Sequence, residues 1–159
     1  MLFHKHFKNL FIALFVIIVS FTITSCSKDD DPLSPTENHF EAIGMVIYDA
    51  SGKMVVKILR GETTDTLYAE AGKRSDHFSV KFYNEDEVLV DAPEDEHHSF
   101  TAQIEDVTIA KLWQHAGEEG GFEFHIDGIK SGITNIEFFI EHEGHADYRT
   151  GKIPLKIYE

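Results

Sequence analysis

Six histidines, His77, His97, His98, His115, His142 and His145, are the residues of this chain best suited to chemistry. Neutral imidazole is the commonest metal-binding side chain, and a neighbouring carboxylate can complete a shell or orient the ring. Donors are densest in Glu141-His142-Glu143-Gly144-His145-Ala146-Asp147, where His142, His145, Asp147 and Glu143 are candidate ligands. The two histidines stand three apart rather than four, so this is not the helical His-Glu-x-x-His of zinc peptidases. On a continuing strand they would point to opposite faces, and Gly144 permits a bend that brings the rings together. With imidazole and carboxylate but no thiolate, the donor set suits zinc, copper(II) or nickel rather than copper(I) or an iron–sulfur cluster. Met45 and Met54 belong to a different segment, which leaves soft-metal capture without support. Glu143 could act as a base beside an open metal position, but no nucleophile elbow, phosphate loop or serine triad order stands out. An enzyme is therefore not expected.

The elements that must position these side chains read as strands. Ala42 to Tyr48 and Lys53 to Leu59 flank Asp49-Ala50-Ser51-Gly52, a strong hairpin signal, and Thr66 to Glu70 adds a third short strand to that unit. From residue 73 onward the alternation is more regular, with Phe78, Val80 and Phe82, then Phe100, Ala102 and Ile104, on inward faces. Phe122, Phe124 and Ile126 follow, then Ile136, Phe138 and Ile140, and Lys152 to Tyr158 closes the chain. Pro154 marks that last segment as an edge strand or the start of one. Short strands at this spacing predict an antiparallel sandwich. Gly132-Ile133-Thr134-Asn135-Ile136-Glu137-Phe138 resembles the penultimate strand of bacterial immunoglobulin-like modules. The expected fold is thus all-β: an immunoglobulin-like β-sandwich over 73–159, preceded by a small β-hairpin unit over 39–72. Fold analogy of this kind carries little functional weight.

If consecutive strands alternate in direction, their loops alternate between the two ends of the sandwich. One end then receives His77, His97, His98, His115, His142 and His145, and the opposite loops receive no histidine. Carboxylates do not segregate in this way. Taken singly, each histidine reads as an ordinary loop or strand-end residue, and their grouping is what adds information. His125 has outward parity with Glu123, and His39 precedes the first strand, so neither is placed in the expected site.

The amino-terminal segment carries a different message. Lys5 and Lys8 precede the apolar run Leu10 to Ile23, and small residues lead to Cys26. That is the order of a secretory signal peptide, and its 14-residue run is shorter than the ~20 that a membrane-spanning helix needs. With cysteine at the junction, the segment resembles a bacterial lipobox, which implies cleavage before Cys26 and lipidation of its thiol. An ordinary signal peptide with a coincidental cysteine is the alternative. Ser27-Lys28-Asp29-Asp30-Asp31 resembles the acidic export tag of certain surface lipoproteins; its plain reading is a solvated start to a linker. The expected organisation is a signal peptide over 1–25, a lipidated acidic tether over 26–38, and the folded chain beyond.

Removing 25 of 159 residues leaves 134, and removing Lys5 and Lys8 leaves 12 basic against 28 acidic residues, a balance of −16. Such a surface repels phosphate backbones, which excludes nucleic acid as a partner, and attracts cations. Cys26 is the only cysteine, so no disulfide or cysteine-based metal site can form within the chain. The reading is a surface-exposed protein anchored to the cell outer membrane by lipid. It would bind zinc or copper(II) at a histidine-rich loop end, for capture or for delivery to an outer-membrane transporter or receptor. Two alternatives remain open: a module whose loops bind a protein or glycan, and a haem-binding lipoprotein.

Overall fold

The computed structural model describes residues 39–159, so Cys26, the signal-peptide segment and the tether lie outside the described residues. Alternating apolar residues build an all-β sandwich. Its strands are β1 (Gly44–Tyr48), β2 (Met54–Leu59), β3 (Leu67–Glu70), β4 (Phe78–Tyr83), β5 (Leu89–Val90) and β6 (His98–Ile104). They continue as β7 (Ala110–Trp113), β8 (Glu123–Gly128), β9 (Gly132–His142), β10 (His145–Arg149) and β11 (Ile153–Tyr158). The first sheet has the order β2-β1-β4-β8-β7, with β5 also pairing β4. The second has the order β10-β9-β11-β3, with β6 also pairing β9.

Every pairing is antiparallel except that of β3 with β11. The hairpin expected to precede the sandwich is built into it: β1 pairs β4 in the first sheet, while β3 pairs β11 in the second. The cause lies in the burial of its side chains. Met45, Ile47, Val56, Ile58 and Leu67 are fully or almost fully buried in the same core as Phe82, Phe100, Phe124 and Phe138. A two-stranded hairpin alone could not bury them. Pro154 lies on an interior strand, but the β3 pairing begins only at Leu155, so its missing N–H costs no ladder bond on that side.

Between the sheets, Phe138 stacks on Phe100 at 5.1 Å and meets Phe124 at 5.0 Å. Burying each ring contributes about 1.5–3 kcal/mol, and these rings join the two sheets in one core. The long central strand β9 accepts β6 along one edge. Its other edge takes β11 over its first half and β10 over its second. Buried Thr150 makes the corner between these two partners, and its hydroxyl accepts the Phe138 N–H at 3.0 Å. Strands β9 and β10 thus form a β-hairpin, with its turn at residues 143–144.

Candidate metal site

The turn of that hairpin decides where the densest histidine motif goes. Glu143 and Gly144 both have positive φ, 47° and 91°, which gives a two-residue turn whose twist matches the flanking strands. His142 and His145 are consequently register partners across the turn, and facing residues share a side of the sheet. Asp147, two residues beyond His145, lies on the same side. An irregularity between Ala146 and Tyr148 then lets Tyr148 pair with Ile140 and also face the core. On the other edge of β9, His98 is the register partner of His142, and their rings stack at 4.4 Å.

Asp147 is the hub of this cluster, with a side chain only 1% exposed. One oxygen, Oδ1, lies 2.8 Å from His39 Nδ1 and 3.4 Å from His145 Nε2. The other, Oδ2, accepts the Phe40 backbone N–H at 2.9 Å and lies 3.2 Å from His98 Nε2 and 3.7 Å from His142 Nδ1. Burial alone would push this carboxyl up, but the Phe40 N–H and the His39 and His98 rings outweigh that and hold it below its ordinary value. Phe40 is anchored in turn by an edge contact with Phe82 at 5.2 Å, which fixes His39 beside the hairpin.

His39, His142, His145 and Asp147 each offer a ligand atom, and these atoms lie within 4.8 Å of one another. His39 Nδ1, His145 Nε2 and Asp147 Oδ1 stand 2.8–3.5 Å apart, close to the edge of a zinc tetrahedron, about 3.3 Å for bonds of ~2.0–2.1 Å. His142 Nδ1 is buried and has no hydrogen-bond partner, so one lone pair or proton of this ring is unsatisfied without a further group in the cluster. His98 plays another part. Its Nδ1 meets Asp95 at 2.7 Å and its Nε2 meets Asp147, so it orients the carboxylate rather than offering a ligand atom. The hydrogen bond from His98 also holds the Asp95 carboxyl below its ordinary value. The set opens on a groove of about 480 Å³ lined by His39, Phe40, Glu85 and His145, which gives an ion a way in. A larger groove of about 700 Å³, lined by Lys57, Arg60, Asp65 and Lys152 among others, contains no histidine.

The expected ligands are thus distributed as follows. His142, His145 and Asp147 come together, and His98 supports them. Exposed His97 approaches no closer than a 6.4 Å ring contact with His142, and Glu143 occupies the exposed turn. The expectation that His77 and His115 share an ion with His142 does not hold, because they form a separate group with His125. The reason is parity. His77 directly precedes inward-facing Phe78, so it faces out from the first sheet beside His125 on the neighbouring strand, and the two rings stack at 4.9 Å. His39 and His125, which the sequence pattern does not place among the ligands, each join a cluster. The outward parity of His125 was a usable signal, whereas the position of His39 follows from the docking of Phe40, which no periodicity marks.

No protein-family model matches the sequence, and no curated protein matches it. Among solved structures, domains 4 and 5 of the S-layer protein SbsC are similar in part, with a TM-score of 0.38 at 12% identity. The likeness covers 59% of this chain and 46% of that one, so the chain spans less than half of that structure's length.

Proposed function

We propose that this protein is a divalent-metal-binding protein of the bacterial cell envelope, holding zinc or copper(II) through His39, His142, His145 and Asp147. The observation that carries the reading is the buried Asp147 carboxylate ringed by imidazole nitrogens, one of which, His142 Nδ1, has no hydrogen-bond partner. Three imidazoles and one carboxylate complete a four-coordinate zinc shell and equally suit copper(II). Two of the histidines, His39 and His145, are 41% and 49% exposed, so part of the shell faces solvent and can release its ion. That fits capture and delivery to an outer-membrane transporter better than a permanent structural metal. It describes a binding role rather than a catalytic one.

The lipobox-like segment ending at Cys26 supports attachment to the outer membrane through lipid, and the acidic run after it supports surface exposure. Replacing both His142 and His145 with Ala tests the metal reading. In calorimetry near neutral pH, the zinc or copper(II) binding event at this cluster should weaken by about 100-fold or more, since even an outer-shell partner is worth about 10–100-fold. Unchanged affinity of this variant would refute the assignment. Cys26→Ala should abolish labelling by radioactive palmitate and release the protein from the membrane fraction; a variant that keeps its lipid would refute the anchor.

A further inference from the structure

His77, His115 and His125 lie on the outer surface of the first sheet, on β4, β7 and β8 or just beyond their ends, and their ligand atoms fall within 4.8 Å of one another. We infer that these three imidazoles form a second, independent site for a divalent ion, copper(II) or zinc, with a coordination position open to solvent. The inference does not depend on the first site, with which it shares no residue.

Tautomers and distances support it. His125 Nδ1 lies 2.9 Å from the Ser75 carbonyl oxygen, which can only accept, so that nitrogen carries the proton and Nε2 keeps its lone pair. This is the arrangement that metal-binding histidines ordinarily adopt, with the far nitrogen tied to a carbonyl. His125 Nε2 is 3.3 Å from His115 Nε2, matching the tetrahedral edge of about 3.3 Å. His77 Nε2 is buried and has no hydrogen bond; Glu123 Oε2 approaches it to 3.1 Å, but without the alignment a hydrogen bond needs. That carboxylate is placed either to join an ion bound by the rings or to orient His77 toward it.

Two cations share this face: Arg74, and Lys111 as the register partner of Asp127. The Arg74 guanidinium lies 3.5 Å from the centre of the Trp113 ring and is held by Asp127 through contacts of 2.7 and 3.0 Å, which neutralise much of its charge. Exposed His115, packed edge-on against Trp113 at 4.6 Å, leaves the outer side of the group accessible. A site of three neutral nitrogens with an open position exchanges its ion readily and can accept a donor atom from a partner molecule.

Trp113 is the only tryptophan and lies beside both His115 and His125, so it reports on this site directly. The experiment titrates copper(II) into the purified full-length chain carrying His142→Ala and His145→Ala, which removes the first site. Open-shell copper(II) bound within van der Waals reach of an indole quenches its emission, whereas closed-shell zinc does not. Indole emission should fall saturably with about one equivalent, recover on adding EDTA, and be protected by prior zinc loading. Adding His115→Ala should weaken the response by more than about tenfold, since even outer-shell partners are worth that much. His115 lies outside the strands, and circular dichroism verifies that this variant folds; His77→Ala provides a second ligand deletion. The inference is overturned if copper(II) leaves the emission unchanged, or if quenching survives undiminished in both deletions. Failure here leaves the first site standing, because that site is read by calorimetry on the protein with His142 and His145 intact.

Discussion

Asp147→Asn changes one atom and removes the charge on which the first cluster is organised. In the native chain this carboxylate accepts from the Phe40 N–H and faces the His39 and His98 rings. Hydrogen bonds to a charged acceptor contribute about 1.5–3 kcal/mol and neutral ones about 0.5–1.5, so three weakened contacts lose roughly 3 kcal/mol. The amide recovers part of this because it avoids the cost of burying a charge. Metal-free stability should therefore fall by about 1–2 kcal/mol net at neutral pH. The sign of the pH dependence follows from the carboxyl being held below its ordinary value in the folded chain. Its stabilisation is fully present above the unfolded value, about 3.8, and is lost as pH falls through the lower folded value. Urea unfolding in EDTA should show a gap between native and variant at pH 7 that narrows below pH ~4. Zinc affinity should drop in the same variant, because the shell loses its only anionic ligand. Equal metal-free stability together with undiminished zinc affinity would refute the role assigned to Asp147.

Gly128→Ala tests the sandwich itself. A Cβ at this position would lie 2.2 Å from the Glu70 carbonyl oxygen, where β8 passes β3, so the backbones must separate. A cost of about 1–3 kcal/mol is expected, seen as a Tm lower by several degrees, and an unchanged Tm would contradict the close packing. His97→Ala should leave zinc affinity within about twofold by calorimetry, because this exposed ring lies outside the ligand set and only surface contacts are lost.

Much of the fold was legible because its faces alternate cleanly. Phe78, Phe82, Phe100, Phe124, Ile136 and Phe138 all proved buried at the parity their strands predict. The hairpin β1–β2 was marked by Asp49, whose Oδ1 accepts the Ser51 and Lys53 N–H groups at 2.9 and 3.0 Å. The strand β10 was not legible, because His145-Ala146-Asp147-Tyr148-Arg149 buries only one large apolar side chain and its register is set by an irregular pairing. The partnership of β3 with β11 was hidden for a different reason: local sequence cannot specify a parallel neighbour far along the chain. For the histidines, assigning loops to ends of the sandwich located the cluster at the β9–β10 hairpin but wrongly included His77 and His115. His77 faces outward from the first sheet beside His125, and the loop carrying His115 folds its ring against that same pair. Face parity, combined with adjacency of β4 and β8, separates the two groups.

Anomalous scattering at the zinc edge, from crystals of the protein grown with zinc, locates the bound ion itself. A peak is expected amid His39, His142, His145 and Asp147, with metal–ligand distances of about 2.0–2.2 Å. An anomalous map with no peak inside that set, from a protein whose Asp147 still faces the three rings, would contradict the proposed metal site.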